Sequence, residues 1–285
     1  LGDVYKRQVG SHQAAGHVRL ACLTSIDSGQ ALYLLPMSRR SRPSFRDEAF
    51  VLCTYKLGEA DLILVLLTKD HGLIRAVAKG IRKTRSRFGA RLDRFSRVDV
   101  QIYPGRSLAN VTDAATVATY ASPIVADVDR FYAGAAMLEM AQVFAAEPSS
   151  SHSVFLLLDA ALQQLTTSEL PPISVADEFV LHGLDIAGWQ PSLVDCAQCG
   201  KRGPHRAFHP AAGGAVCVTC RPPGAFTPPS AAVHVLWLLK MGRHTQAAQE
   251  IRDQQGQGIA ATAHRLLLAH VRQQLEVGCP AYAAL

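Results

Sequence analysis

The hydrophobic pattern changes period near Pro123, and that change decides what kind of molecule this chain can form. Upstream, between Phe45 and Ala118, the segments "EAFVLCTYK", "LILVLLT", "LIRAVAKG", "RVDVQIYP" and "LANVTDAATVA" are apolar and β-branched, separated by turn signals at Gly58, Gly72 and Gly105. Five short strands of this kind predict a small barrel. The OB-fold, a partly open five-stranded barrel that binds oligonucleotides on one face, fits the spacing, although strand count alone does not separate it from an SH3-like barrel. Downstream, "DVDRFYAGAAMLEMAQVFAAE", "SVFLLLDAALQQL" and "SVADEFVLHGLDIAG" repeat apolar residues every three or four positions, with Ser153 and Ser174 as expected N-caps and Gly188 as a C-terminal stop. The same pattern resumes at "SAAVHVLWLLKMGR" from Ser230 and at "IAATAHRLLLAHVRQQLEVG" up to Gly278. The expectation is an α+β multidomain protein: an OB-fold barrel, then a helical domain split by an insert.

The insert carries a metal-ligand spacing. "CAQCG" supplies Cys196 and Cys199, "CVTC" supplies Cys217 and Cys220, and seventeen residues separate the pairs. C-x2-C twice at this distance matches a four-thiolate zinc site, and four thiolates leave no open coordination position, so one Zn2+ here is structural. Gly200 and the pair Gly213 and Gly214 permit the tight backbone of such knuckles. Two redox pairs or two disulfides are the competing reading. His205 and His209 lie in the same loop but are surplus to a complete ligand set and read as solvent-facing. Cys53, in a strand, and Cys279, in the tail, read as incidental thiols.

Composition excludes two classes. With 48% hydrophobic and 18% charged residues, the chain can bury a core, so global disorder is excluded. The longest apolar run, the "LILVLL" of Leu62 to Leu67, falls well short of the about 18 residues that span a bilayer, which predicts a soluble protein. The net charge of +6 is unevenly placed: Met37 to Tyr120 carries +8, Ala121 to Gln190 carries −8, and the remainder from Pro191 carries +5. The steepest concentration is "AKGIRKTRSRFGARLDRFSR", Ala78 to Arg97, where Lys79, Arg82, Lys83, Arg85, Arg87, Arg91, Arg94 and Arg97 face only Asp93. Such a segment between two barrel strands predicts a phosphate-binding surface for nucleic acid, with Lys79, Arg82, Lys83, Arg85, Arg87 and Arg91 as its contacts; a solvated loop is the competing reading. Phe88 either stacks on a base or anchors the loop.

The sequence offers no catalytic constellation. There is no GxxxxGK[ST], HExxH or GxSxG, and "GQGIAA" at Gly256 to Ala261 follows polar "RDQQ" instead of a strand, which excludes a dinucleotide site. Asp177 and Glu178 read as the solvated face of a helix. A non-enzyme is expected. Residues 1–36 lack sustained periodicity and read as an in-frame upstream or disordered extension; Arg39 and Arg40 are followed by "RDEAF" after the next few residues, not by an apolar export region, so the cytoplasm is expected. The domain division predicted is 1–36 extension, 37–120 barrel, 121–192 first helical part, 193–224 zinc insert and 225–285 second helical part.

The run from "GEADLILVLLTKDHG" through the basic stretch to "RVDVQI", then "GRSLANVTDA", "CAQCG" and "GGAVCVTC" in order, resembles the bacterial recombination mediator family RecO. The resemblance covers the chain from about Phe45 to its C-terminus, leaving Leu1 to Pro36 without a counterpart. It implies DNA repair without nucleotide hydrolysis, in the cytoplasm at the nucleoid: binding of single-stranded and double-stranded DNA, annealing of complementary strands coated with single-strand binding protein (SSB), and action with RecR to load RecA. It maps the four cysteines onto the family's zinc ligands, and Lys79, Arg82, Lys83, Arg85 and Arg87 onto its basic barrel segment. A dock for the acidic, apolar-tipped SSB tail is expected at "VLWLLKMGR", through Trp237, Lys240 and Arg243, although Trp237 also reads as plain core. The competing function is a zinc-stabilised scaffold whose basic surface docks an acidic protein.

Overall fold

A computed structural model describes residues 43–86, 88–253, 258–275 and 278–285. The expected extension at 1–36, the Arg39–Arg40 pair and Arg87 lie outside the described residues, as do the first two residues of the "GQGIAA" stretch. That stretch follows a helix, not a strand. Five strands, β1 (Phe45–Leu57), β2 (Asp61–Thr68), β3 (Gly72–Ala78), β4 (Ser96–Tyr103) and β5 (Ala109–Thr119), close into a barrel in the order β1-β2-β3-β5-β4. All pairings are antiparallel except β3 with β5, which is the OB-like arrangement.

The two kinds of apolar run foretell which strands are covered on both sides. In β4, Val98, Val100 and Ile102 point into the barrel while Arg97, Asp99 and Gln101 alternate outward. In β1 and β2 the inward residues Ala49, Val51, Leu64 and Leu66 are interleaved with Phe50, Leu52 and Leu67, which belong to the core shared with the helices. Those strands are near-continuously apolar because helices lie over them. The contact is concrete: the Phe50 and Phe155 rings are 5.1 Å apart.

The helical part comprises α1 (Ala121–Val125), α2 (Val128–Phe144), α3 (Ser151–Thr167), α4 (Pro172–Ala187), α5 (Ser230–Lys240), α6 (His244–Asp253), α7 (Ile259–Leu275) and α8 (Pro280–Ala283) among the described residues. Neither expected serine cap is used. α4 starts two residues before Ser174 because Pro172 is pre-set for the first helical position and has no N–H needing a cap; Ser174 is buried inside the helix. α3 starts after Ser150, whose hydroxyl donates to the Phe144 and Glu147 carbonyls, so Ser153 falls within the first turn. Gly188 ends α4 in the left-handed conformation at φ 75°, as its position suggested. α6 carried too little apolar signal to be anticipated, since only Ala247 and Ala248 of it are buried.

α4 is the central helix, and it overturns the expectation for Asp177 and Glu178. It packs on α2 and α3 at one side and on α5 and α7 at the other, so both carboxylates are buried. Asp177 Oδ1 accepts from the Tyr282 hydroxyl (2.6 Å) and pairs with His264 Nδ1 (2.8 Å), while Glu178 accepts from Gln164 Nε2 (2.8 Å) and pairs with His244 Nε2 (2.7 Å). Burial pushes Asp177 above the usual carboxylate range, opposed by the bonds from His264 and Tyr282. The close packing has a steric condition. A Cβ on Gly183 of α4 would come within 2.2 Å of the Phe144 ring, so only glycine lets α2 and α4 approach.

The C-terminus is docked. Glu139 of α2 accepts from the backbone amides of Ala281 (3.2 Å) and Tyr282 (3.0 Å), satisfying the open end of α8. Cys279, read as an incidental thiol in the tail, is buried at the start of this helix. None of the described helices is long and apolar enough to cross a membrane.

Candidate nucleic-acid surface and metal centre

The basic segment links β3 to β4 as a series of turns pinned from beneath. Ile81, Phe88 and Leu92 insert into the barrel core, and the Gly80 amide donates to Asp61 Oδ1 at 2.7 Å. Phe88 is 1% exposed, which makes it the loop's anchor and removes it as a stacking platform. With apolar residues turned in, Lys79, Arg82, Lys83, Arg85, Arg91 and Arg94 are turned out to solvent. Arg82 also holds the Glu59 carbonyl at 3.0 Å, tying the segment to the β1–β2 turn.

The last cation of the stretch has a different task. Arg97 sits in β4 at the junction, where it pairs with Asp159 of α3 (2.6 Å) and Glu48 of β1 (3.2 Å). Tyr120 donates to the other Asp159 oxygen at 2.7 Å, and burial together with that carboxylate pushes its hydroxyl up to about 12, so it remains a donor. Phe95, just before it, is buried against α2, with its ring 6.0 Å from Phe131. The exposed row of cations therefore stops short of Arg97.

Two aromatics that the sequence reading passed over face outward on the barrel: Tyr55 on β1 and Tyr103 at the end of β4. The Arg75 guanidinium lies 5.9 Å from the Tyr55 ring centre. Strand parity was the available signal. Tyr103 follows inward Val98, Val100 and Ile102 and must point to the opposite side.

In the insert, β6 (Ala207–His209) pairs with β7 (Gly214–Val216), and Phe208 anchors the hairpin in the helical core. The Sγ atoms of Cys196, Cys199, Cys217 and Cys220 all lie within 4.8 Å of one another, a group able to hold a metal ion. Gly214 has φ 126°, and a Cβ there would meet the Ser192 carbonyl oxygen at 2.3 Å, so glycine is required for the hairpin to close on the first knuckle. The Cys217 amide donates to the Cys196 sulfur at 3.4 Å and, with the amides of Cys199 and Gln198, draws that thiol down to about 6. Cys220, crowded by Cys199 and Cys217, is pushed up to about 12. Four sulfurs this close cannot all be thiolates without a cation between them. His205 and His209 are half-buried instead of solvent-facing, with His205 Nε2 bonded to the Lys201 carbonyl (2.9 Å) and His209 Nδ1 accepting from the Ala212 amide (3.2 Å).

Of the three residues expected to dock a partner, two come together. Half-buried Trp237 stacks on His234 (5.8 Å, 17°) and carries the Arg243 guanidinium 5.1 Å from its ring centre, at the edge of an open groove of about 330 Å³ between α5 and α6. Lys240 turns away, pairing with Asp185 (3.3 Å) and bonding Gln190.

Residues 37–120 match the family model for the recombination protein O N terminal region, and residues 125–281 match that for its C terminal region. The chain belongs to the recombination protein O (RecO) family. RecO proteins are recombination mediators in DNA repair, not classical enzymes, in keeping with an OB-like barrel joined to a helical domain and a four-cysteine cluster.

Proposed function

We propose that this RecO chain binds single-stranded and double-stranded DNA on the barrel's cationic surface, using Lys79, Arg82, Lys83, Arg85 and Arg91, with Arg87 assigned from the sequence alone. On that surface it anneals complementary strands, bare or coated with SSB, and acts with RecR to load RecA. The observation that carries this reading is the division of the β3–β4 segment into apolar anchors turned into the barrel and cations turned out, which creates a row of positive charge on a rigid support. Two strands approaching each other repel along their phosphates, so an annealing protein must neutralise charge while leaving base edges free; flexible Lys and Arg on a barrel do this without reading sequence.

The metal fits as one structural Zn2+ held by Cys196, Cys199, Cys217 and Cys220. With Zn–S near about 2.3 Å, a tetrahedral site has S···S edges of about 3.8 Å, and Cys199 to Cys217 is 3.8 Å. A disulfide would bring a pair to about 2.0 Å. The ion would supply the positive charge that lets the thiolates coexist, and so hold the insert's fold.

The test is annealing of labelled complementary oligonucleotides, bare and SSB-coated, without ATP. Acceleration over the uncatalysed rate that fades with salt supports the reading; no acceleration at low salt, with tight binding of an acidic protein instead, would turn it to the scaffold.

A further inference from the structure

The β3–β5 seam is the weakest closure of the barrel. The two strands share only the registers Ala76↔Ala109 and Val77↔Asn110, whereas β5 runs along β4 from Asn110 to Thr119. Past that short contact the chain of β3 leaves through Lys79 into the basic segment, while β5 continues with β4. The parting strands leave an open hollow of about 260 Å³ lined by Lys79, Tyr103, Asn110, Val111 and Thr112.

Its lining is divided by chemistry. Val111 is buried and forms the apolar floor. Tyr103 is 48% exposed and stands in register with Asn110 across the β4–β5 pair. Thr112 is the extra residue where the β4–β5 register shifts, and its hydroxyl donates to the Gln101 carbonyl at 3.2 Å. Lys79, exposed at the head of the run of cations, completes the lining.

We propose that this hollow takes one unpaired nucleobase of a single strand. The ring of Tyr103 stacks on the base face, the Asn110 carboxamide meets the base edge, and Lys79 holds a flanking phosphate. An aromatic face beside a group that both donates and accepts, next to a row of cations, is the chemistry of a base with its backbone. The volume lies just below the about 300–1,000 Å³ of pockets for larger ligands, as a single base requires. A base inside a duplex has both faces covered by its neighbours and cannot enter. The hollow thus gives the barrel a preference for single strands that its cations, which bind any phosphate, cannot supply. The inference rests on the DNA-binding reading above.

The experiment measures binding of the full chain and of Tyr103→Ala, Tyr103→Phe and Asn110→Ala to a single-stranded oligonucleotide and to its duplex across a salt series. A 2-aminopurine in the single strand reports stacking. Tyr103→Ala should bind the single strand roughly 5- to 150-fold more weakly, the range for loss of one base–aromatic stack. Its duplex affinity and salt slope should stay at parental values, because no phosphate contact is lost, and the fluorescence quench should vanish. Tyr103→Phe, which keeps the stack, should restore affinity and quench; Asn110→Ala should weaken single-strand binding alone. The proposal is overturned if Tyr103→Ala binds and quenches like the parent, or if single-strand and duplex affinity fall together. If the parent itself binds no oligonucleotide, the DNA-binding reading fails and takes this one with it; if the parent binds and the variants match it, only the hollow is wrong.

Discussion

Replacing Asp177 by asparagine should leave the protein about as stable as before at neutral pH, or more stable, while replacing it by alanine should cost several kcal/mol. Both bonds to this carboxylate land on one oxygen: Oδ1 accepts from Tyr282 and pairs with His264, and Oδ2 is buried without a partner among the described residues. Asparagine keeps an oxygen where the bonds are and places its amide where nothing was bonded, exchanging an ionisable buried group for a neutral one. The expected change is within about 1 kcal/mol of the parent, or a gain. Alanine strands the Tyr282 hydroxyl and the His264 ring at about 1–3 kcal/mol each, about 2–6 kcal/mol in all.

The pH dependence has a definite sign. Because burial raises Asp177 in the folded state, the folded protein keeps this proton to higher pH than the unfolded chain. The group's contribution is therefore fully present below the ordinary carboxylate range, about pH 4, and is lost as pH rises toward the raised folded value. Denaturant unfolding followed by circular dichroism at a series of pH values should show a parental decline that Asp177→Asn lacks. Hydrogen exchange at Ala281 and Tyr282, whose amides are held by Glu139, should quicken in Asp177→Ala and not in Asp177→Asn. If the asparagine variant at neutral pH is as unstable as the alanine variant, an ionised pair with His264 stabilises the helical core and the reasoning fails.

Neutralising Arg82, Lys83 and Arg85 together should weaken binding alike for all single-stranded sequences and flatten the slope of log affinity against log salt by about 2, at roughly 0.7 per phosphate contact; a parental slope would show that these side chains touch no phosphate. Metal analysis of protein prepared without chelator should find one zinc per chain, and Cys196→Ser should speed hydrogen exchange across the insert and leave the barrel protected; its absence from the protein would remove the site. Trp237→Ala or Arg243→Glu should weaken binding of an acidic, apolar-tipped peptide about tenfold or more by fluorescence anisotropy, whereas Lys240→Gln, which alters the contact with Asp185 instead, should change it little. Equal affinity in all three variants would place the peptide elsewhere.

Much of this molecule follows from local sequence, because its strongest signals are periodic or spaced. Alternation in "RVDVQIY" orients β4 without reference to any other strand, and two C-x2-C pairs on short glycine turns can bring four sulfurs to one point with little help from the rest of the chain. Gly188 ends its helix by its own backbone freedom. Tertiary structure alone decided what each exposed-seeming polar group and each aromatic meets. Asp177 and Glu178 carry the local pattern of a solvated helix face, yet α4 is covered on its second side by α5 and α7, which lie beyond the insert, and the Asp177 site is completed by Tyr282 of the C-terminal α8. Arg97 and Phe88 belong to one uniform basic run in the sequence, but closure of the barrel turns Phe88 inward and places Arg97 against Asp159 of α3. The hollow beside Tyr103 exists because two strands far apart in the chain run parallel for only two registers and then separate. Burial and partnership depend on which distant surfaces come together, and no local window of sequence carries that information.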